Sequence, residues 1–125
     1  MSAPRTVAVQ TLDHGLVVLE EPSWCVAVHP DGNHRSGIRH DGAEYAATVD
    51  VPGRGRVGFL KANLCQFPFA EYGSREITAT VEIEGDYYEF DAAGLGDLAA
   101  AITSHVLYGL LPLRARLHAL EGGGE

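Results

Sequence analysis

Four side chains that commonly bind transition metals lie in one short stretch of the chain. Cys25, His29, His34 and His40 form the pattern Cys-x3-His-x4-His-x5-His, and most residues between them are small or turn-forming. Thiolate and imidazole are the sulfur and nitrogen donors that zinc binds in tetrahedral protein sites. The spacing therefore predicts a zinc ion held by Cys25, His29 and His34, with His40 or Glu21 as the fourth ligand.

Two other interpretations of this stretch stay open. The spacing matches no established zinc-finger pattern, so the histidines can also be solvated loop residues, with Cys25 a small core residue beside Trp24. If water occupied one coordination position of the metal, the protein could instead be a metal-dependent hydrolase. If Cys25 were a nucleophile with His29 as its base, it could be a cysteine-dependent hydrolase. Because no third orienting group and no oxyanion-binding motif is recognisable, we expect a binding or regulatory module rather than an enzyme.

The composition of residues 29–42 is that of a loop. The segment carries Pro30, Asn33, three glycines and two aspartates. A loop this polar buries little apolar surface to offset the entropy lost when it becomes ordered. That deficit is the physical motive for expecting a metal ion in the loop.

Strand patterns surround the loop. Residues 5–20 predict a β-hairpin that turns at Asp13-His14-Gly15. Further strands are predicted over residues 45–51, 56–67, 77–83 and 87–90. The apolar alternation slips between Phe59 and Leu60, which predicts a β-bulge or a strand buried on both faces.

The remainder of the chain has helical periodicity. Asp91 is a candidate N-cap, and Gly109 and Pro112 are expected to end or kink the helix, after which Pro112 opens a second one. The apolar stripes of the two helices consist of Leu95, Leu98, Ala99, Ile102 and Val106, then Leu113, Leu117 and Leu120. The predicted fold is α+β: a mainly antiparallel sheet of about six strands with one or two C-terminal helices on one face, in a single domain over residues 1–125 with a flexible tail at 122–125.

Charge and hydropathy restrict the class of partner. The net charge of −8 argues against non-specific nucleic-acid binding, although Arg35 and Arg39 leave an accessory role at a small basic patch as an alternative. No run approaches about 20 apolar residues, and the N-terminus lacks the apolar stretch of a signal peptide, so we expect a cytoplasmic protein that does not cross a membrane.

Residues 106–120 are more apolar than a free helical tail requires. We expect them to pack on a protein partner or on a second copy.

The stretch Trp24-Cys25-x3-His29-x4-His34 resembles a family of small actinobacterial domains with the motif Cys-Pro-x-Trp-Cys followed by histidines. The likeness extends over roughly residues 20–106 and implies an α+β domain of unknown function, with no activity to carry over. This chain departs from the motif at its first cysteine, where Glu21 stands. If that cysteine binds a metal in relatives, Glu21 can replace it only with a harder oxygen donor, which counts against a metal site here.

Overall fold

The structure is a computed structural model that describes residues 5–123. The chain divides into two compact units, one ending at Asp91 and one beginning at Ala92. Within residues 5–123, every strand belongs to the first unit, and the second unit is helical. The predicted α+β class is confirmed.

A hairpin of β1 (Arg5–Thr11) and β2 (Gly15–Glu21) begins the first unit, as predicted. Its antiparallel register pairs Val7 with Leu19 and Arg5 with Glu21 at the open end. Val9 and Leu19 form a small apolar core with Ile38 of the following loop, and Val7, Val17 and Phe69 pack against it. The hairpin thus begins at the predicted position and extends one residue further, to Glu21.

A five-stranded antiparallel sheet makes up the rest of this unit. Its strands are β3 (His40–Asp41), β4 (Tyr45–Val51), β5 (Gly55–Gln66), β6 (Thr78–Ile83) and β7 (Asp86–Phe90). The spatial order is β3-β5-β6-β7, and β4 pairs with the first part of β5. The described residues therefore form seven strands rather than about six, because the two-residue strand β3 is too short to leave a pattern in the sequence.

The predicted irregularity near Phe59 is a β-bulge. The register pairs Ala47 with Phe59 but Tyr45 with Ala62, so β5 has one extra residue at this point. Leu60 takes a φ of 53°, a left-handed conformation that is uncommon for a side chain with a Cβ. The bulge keeps Phe59 and Ala62 on the same face of the sheet.

The second unit is one helix of 30 residues, Ala92–Glu121. It consists of α1 (Ala92–His105), a π-helical turn (Val106–Leu110) and α2 (Leu111–Glu121). The helix does not end at Gly109 or Pro112, so the prediction of an end and of a second, separate helix there is wrong. The wider turn, in which the Leu111 N–H donates to the carbonyl of Val106 five residues earlier, accommodates the proline without ending the helix.

Two further features of the helix bear on the sequence predictions. A side chain at Gly109 would bring its Cβ to 2.8 Å from Nδ1 of His105, so a larger residue there would require the exposed His105 ring to move. By length and composition the helix is also apolar enough to cross a membrane, with a mean hydropathy of 1.2 over its most apolar window. Gly122 and Gly123 form a turn after the helix, and the rest of the predicted tail lies outside the described residues.

Candidate metal centre

The loop between β2 and β3 is held in place by the end of the hairpin. Four hydrogen bonds join the two segments: Leu12 N–H to Asn33 O (2.9 Å), Gly32 N–H to Gln10 O (2.9 Å), Gln10 N–H to Asp31 Oδ1 (2.9 Å) and Arg35 N–H to Asp13 Oδ1 (2.8 Å). Ile38 adds apolar burial, since it is only 5% exposed in the hairpin core. The expectation that this loop lacks apolar burial is therefore wrong in part, because the hairpin supplies both the partners and the core.

This arrangement brings four potential metal ligands together. Glu21 is the last residue of β2, Cys25 forms an isolated β-bridge with Gly42, His29 lies in the loop, and His40 begins β3. One ligand atom from each of these four side chains lies within 4.8 Å of the others. We refer to Glu21, Cys25, His29 and His40 as the four-residue cluster.

The carboxylate of Glu21 is the centre of the cluster. Its Oε1 lies 2.6 Å from Nε2 of His29 and 2.9 Å from Nδ1 of His40, and its Oε2 accepts a hydrogen bond from Nη2 of Arg5 at 3.1 Å. The side chains are almost completely removed from solvent, with 1% of Glu21, 7% of His29 and 4% of His40 exposed. A carboxylate buried to this degree needs compensating positive charge or hydrogen bonds, and this one has both.

His40 is less well satisfied than its distance from Glu21 implies. Nδ1 of His40 is buried 2.9 Å from Oε1 of Glu21, a charge contact whose angles fall outside those of a good hydrogen bond. Buried polar atoms without a well-formed hydrogen bond are uncommon in folded proteins, and each calls for an explanation. The same Glu21 oxygen also contacts Nε2 of His29, so one carboxylate oxygen serves both rings.

The pKa values of the cluster follow from burial and mutual charge. Burial pushes the pKa of Glu21 upward, but the hydrogen bond and charge of His29, with contacts from Cys25 and Arg5, outweigh it and hold the pKa below its ordinary value. Burial raises the pKa of the Cys25 thiol, and the Glu21 charge raises it further. Burial also lowers the pKa of His40, against the attraction of Glu21. The metal-free cluster thus favours an ionised glutamate, a protonated thiol and a neutral His40.

Ring contacts fix the orientation of the two histidines. The His29 and His40 rings meet edge to face with centroids 5.4 Å apart, and Trp24 meets His40 edge to face at 6.1 Å. Trp24 also packs over Gly42, where an added Cβ would lie 3.5 Å from the indole and 3.2 Å from Leu64. Trp24 is half-buried and acts as packing behind His40.

The structure brings together three of the four predicted ligands. Cys25, His29 and His40 belong to the cluster, and Glu21, predicted as a possible completing ligand, joins them. His34 is exposed and lies outside the cluster, at the residue before the short 3₁₀ turn Arg35–Gly37.

Sequence reasoning overlooked Arg5, which forms an ion pair with Glu21 from the opposite strand. The predicted turn at Asp13-His14-Gly15 is centred on residue 14 and would place residue 5 opposite residue 23. The turn in the structure is centred on residue 13, which places Arg5 opposite Glu21, so this pair depends on the exact register of the hairpin.

A cleft of about 220 Å³ opens beside the cluster. Its lining includes His29, Pro30, Ile38, Arg39 and Asp41, so it reaches one residue of the cluster and none of the other three. Arg39 and Asp41, which both line the cleft, form an ion pair at 2.7 Å. The remaining three side chains of the cluster are therefore closed off from it.

Comparisons with known proteins give a family but no activity. No curated protein and no solved structure is significantly similar to the chain. The family model of a domain of unknown function, DUF6907, matches residues 6–119, which include the hairpin, the cluster, the sheet and nearly all of the helix. The chain therefore belongs to the DUF6907 family of domains.

Proposed function

We propose that this domain binds one zinc ion through Glu21, Cys25, His29 and His40, and that the ion is structural. The protein then acts as a small cytoplasmic binding or regulatory module without catalysis of its own. Zinc sites of this kind use four protein ligands of the N, S and O types present here.

The observation that carries the proposal is the burial of four metal-ligand side chains whose ligand atoms lie within 4.8 Å of one another. One of them, His40, has its Nδ1 buried 2.9 Å from the Glu21 carboxylate without a well-formed hydrogen bond. A cation among Glu21, Cys25 and the two histidines would give that nitrogen a partner and would neutralise the buried carboxylate. Tetrahedral bond lengths of about 2.0–2.3 Å separate ligand atoms by about 3.3–3.8 Å. The four ligand atoms lie within 4.8 Å of one another, so an ion would draw some of them closer and would move Glu21 Oε1 away from the histidine nitrogens, which it contacts at 2.6 and 2.9 Å.

Closure of the cluster supports a structural rather than a catalytic ion. Catalytic zinc sites keep one position for water or substrate, whereas the side chains of Glu21 and His40 are less than 5% exposed. A Cys25 hydrolase is disfavoured as well, because burial raises the pKa of this thiol and the thiolate is the nucleophilic form. The net charge of −8 gives no support to the nucleic-acid alternative.

The positions of the ligands indicate what the ion stabilises. Glu21 ends the hairpin, His40 begins the five-stranded sheet, and Cys25 and His29 belong to the connection between them. A single ion bound to all four would link the two sheets of the first unit. Its binding energy would then add to the stability of this unit, as for other structural zinc sites.

The test is the zinc content of the purified protein, measured by elemental analysis together with thermal melting. We expect about one zinc ion per chain and a lower melting temperature after treatment with a strong chelator. Protein purified after growth with added zinc that contains no zinc, and whose melting is unchanged by the chelator, would refute the proposal.

Two pairs of matched variants locate the site. Cys25→Ser should remove the bound zinc and Cys65→Ser should not, although both cysteines are buried. His29→Ala should remove it and His34→Ala should not, although the sequence pattern includes both. Loss of zinc in His34→Ala but not in His40→Ala would contradict the proposed ligand set and support the one predicted from spacing.

A further inference from the structure

Arg5 reaches the four-residue cluster from the opposite strand of the hairpin. The register places Arg5 directly opposite Glu21, and directly opposite side chains of an antiparallel pair lie on the same face of the sheet. Nη2 of Arg5 donates a hydrogen bond to Oε2 of Glu21 at 3.1 Å. The strand pairing itself therefore keeps a positive charge beside this carboxylate.

The two oxygens of the Glu21 carboxylate have different surroundings. Oε1 lies among the other ligand side chains, 2.6 Å from Nε2 of His29 and 2.9 Å from Nδ1 of His40. Oε2 contacts Arg5 instead. A guanidinium stays protonated in proteins and offers no lone pair, so Arg5 cannot itself bind a metal ion. One oxygen of Glu21 is thus directed at the cluster, and the other is occupied by a group outside it.

A carboxylate can bind a metal ion through one oxygen or through both. With Cys25, His29 and His40 as the other ligands, binding through both oxygens of Glu21 would give the ion five ligand atoms. Structural zinc sites almost always have four. An ion shared by both oxygens would also approach the guanidinium of Arg5, and two positive charges repel each other. The Arg5 contact therefore favours the four-coordinate arrangement.

We infer that Arg5 is a positioning residue for the metal ion: it holds Oε2 of Glu21 outside the coordination sphere, so that the carboxylate binds through Oε1 alone. This role rests on the proposed metal site and adds to it the number of ligand atoms and the residue that sets that number. Side chains that orient metal ligands in this way commonly affect a site nearly as much as the ligands themselves.

A simpler role for Arg5 is compensation of the buried charge of Glu21. That role requires only a positive charge near the carboxylate, and it predicts lower stability without Arg5 but unchanged metal coordination. The positioning role requires that the guanidinium occupy one particular oxygen, and it predicts a change at the metal itself. A measurement of coordination geometry, rather than of stability, separates the two roles.

Cobalt(II) is the probe, because tetrahedral four-coordinate cobalt absorbs visible light much more strongly than five- or six-coordinate cobalt. Cobalt is added to the full-length protein after chelator treatment and removal of the chelator. A thiolate-to-cobalt charge-transfer band in the near ultraviolet, absent in Cys25→Ser, marks occupancy of the cluster. For the natural chain we expect this band together with the intense visible bands of a tetrahedral site.

The variants change the partner of Oε2. Arg5→Ala should keep the charge-transfer band but lose visible absorption severalfold, because Oε2 is then free to bind the ion. Arg5→Met removes the same donor and charge while keeping most of the side-chain length, and it gives the same measurement if Arg5→Ala does not fold. Arg5→Lys should retain the intense visible bands, since an ammonium group also donates hydrogen bonds and repels the ion.

Arg56→Ala is the matched control. Arg56 pairs with Asp50 directly across an antiparallel ladder, as Arg5 does with Glu21, but both residues lie outside the cluster. The cobalt spectrum of Arg56→Ala should equal that of the natural chain. An equal loss of visible absorption in Arg56→Ala would contradict a specific role for Arg5.

The outcomes separate this role from the proposed metal site. Intense visible bands in Arg5→Ala, or weak ones in the natural chain beside a clear thiolate band, would overturn the positioning role and leave the metal site intact. Loss of all cobalt binding in folded Arg5→Ala, or weak bands in Arg5→Lys, would overturn it as well. A natural chain without a thiolate-to-cobalt band would refute the metal site itself, and the role of Arg5 with it.

Discussion

Two regions of the protein differ from the degree of burial that their residue types imply, and they do so in opposite directions. They are the loop that joins β2 to β3, and the C-terminal helix. The loop is rich in turn formers and charges, yet it contributes buried Cys25, Ile38 and the nearly buried side chain of His29. The helix is regular and apolar, yet none of its residues is buried. A buried polar group and an exposed apolar surface are both informative about function, whereas buried apolar residues and exposed polar residues are ordinary.

The difference shows that burial in this protein depends on contacts between distant segments. Loop residues become buried because the turn of the hairpin binds the loop backbone. Glu21 also contacts two histidines, His29 within the loop and His40 where the loop enters β3. The helix pairs its backbone groups within its own turns, so it is regular although none of its residues is buried. The loop is therefore where a ligand is to be sought.

The largest effect should come from removing the centre of the cluster. Glu21→Ala leaves His29 and Arg5 without their buried partner, and breaking a buried pair in this way costs about 3–5 kcal/mol. We expect that loss in the free energy of unfolding measured by urea denaturation of chelator-treated protein. Glu20→Ala, at the neighbouring exposed position, should change it by less than about 0.5 kcal/mol. Equal effects of the two variants would remove the distinction between the cluster and an ordinary polar surface.

The next effect separates apolar packing from metal binding as the source of order in the loop. Ile38→Ala removes the loop's contribution to the hairpin core and should lower the free energy of unfolding by about 2–4 kcal/mol, with or without zinc. Val28→Ala, in the same loop but 91% exposed, is the matched control and should be nearly neutral. A nearly neutral Ile38→Ala would mean that the cluster alone orders the loop.

The smallest effect concerns the pH dependence of the contact between the hairpin turn and the loop. The Arg35 N–H donates to Asp13 Oδ1, and this bond holds the pKa of Asp13 below its ordinary value of 3.8. Since the folded-state pKa is the lower one, the ionised carboxylate contributes stability above about pH 4, and the contribution is lost as the pH falls through the folded-state pKa. The melting temperature should therefore be higher for the natural chain than for Asp13→Asn at pH 6, and the gap should narrow near pH 3.

The control for that measurement is Glu20→Gln, which removes an exposed carboxylate that takes no part in the contact. Its melting temperature should follow that of the natural chain at both pH values. The difference in melting temperature between the natural chain and Asp13→Asn should shrink from pH 6 to pH 3. If that difference stays constant or grows, the role assigned to the Arg35–Asp13 bond is contradicted.

Much of the scaffold could be predicted from local patterns. The hairpin, the strands over residues 45–51 and 77–83 and the start of the helix follow from alternation, turn chemistry and helical periodicity. The bulge after Phe59 could be predicted as well, because an interrupted alternation has few other structural causes. The strand β3 and the uninterrupted helix past Pro112 could not, since two residues carry no period and the π-helical turn is an adjustment of the backbone.

The sequence by itself determined which residue types were available to hold a metal and in which part of the chain they lay. Only the tertiary structure decided which of them meet: the hairpin register carries Glu21 and Arg5 to the open end of β1 and β2, and β3 carries His40 to the same place. His34, which the spacing included, is instead exposed at the loop surface. Spacing along a chain limits the distance between two side chains, but the direction in which each one points is set by the strand pairings at either end of the loop.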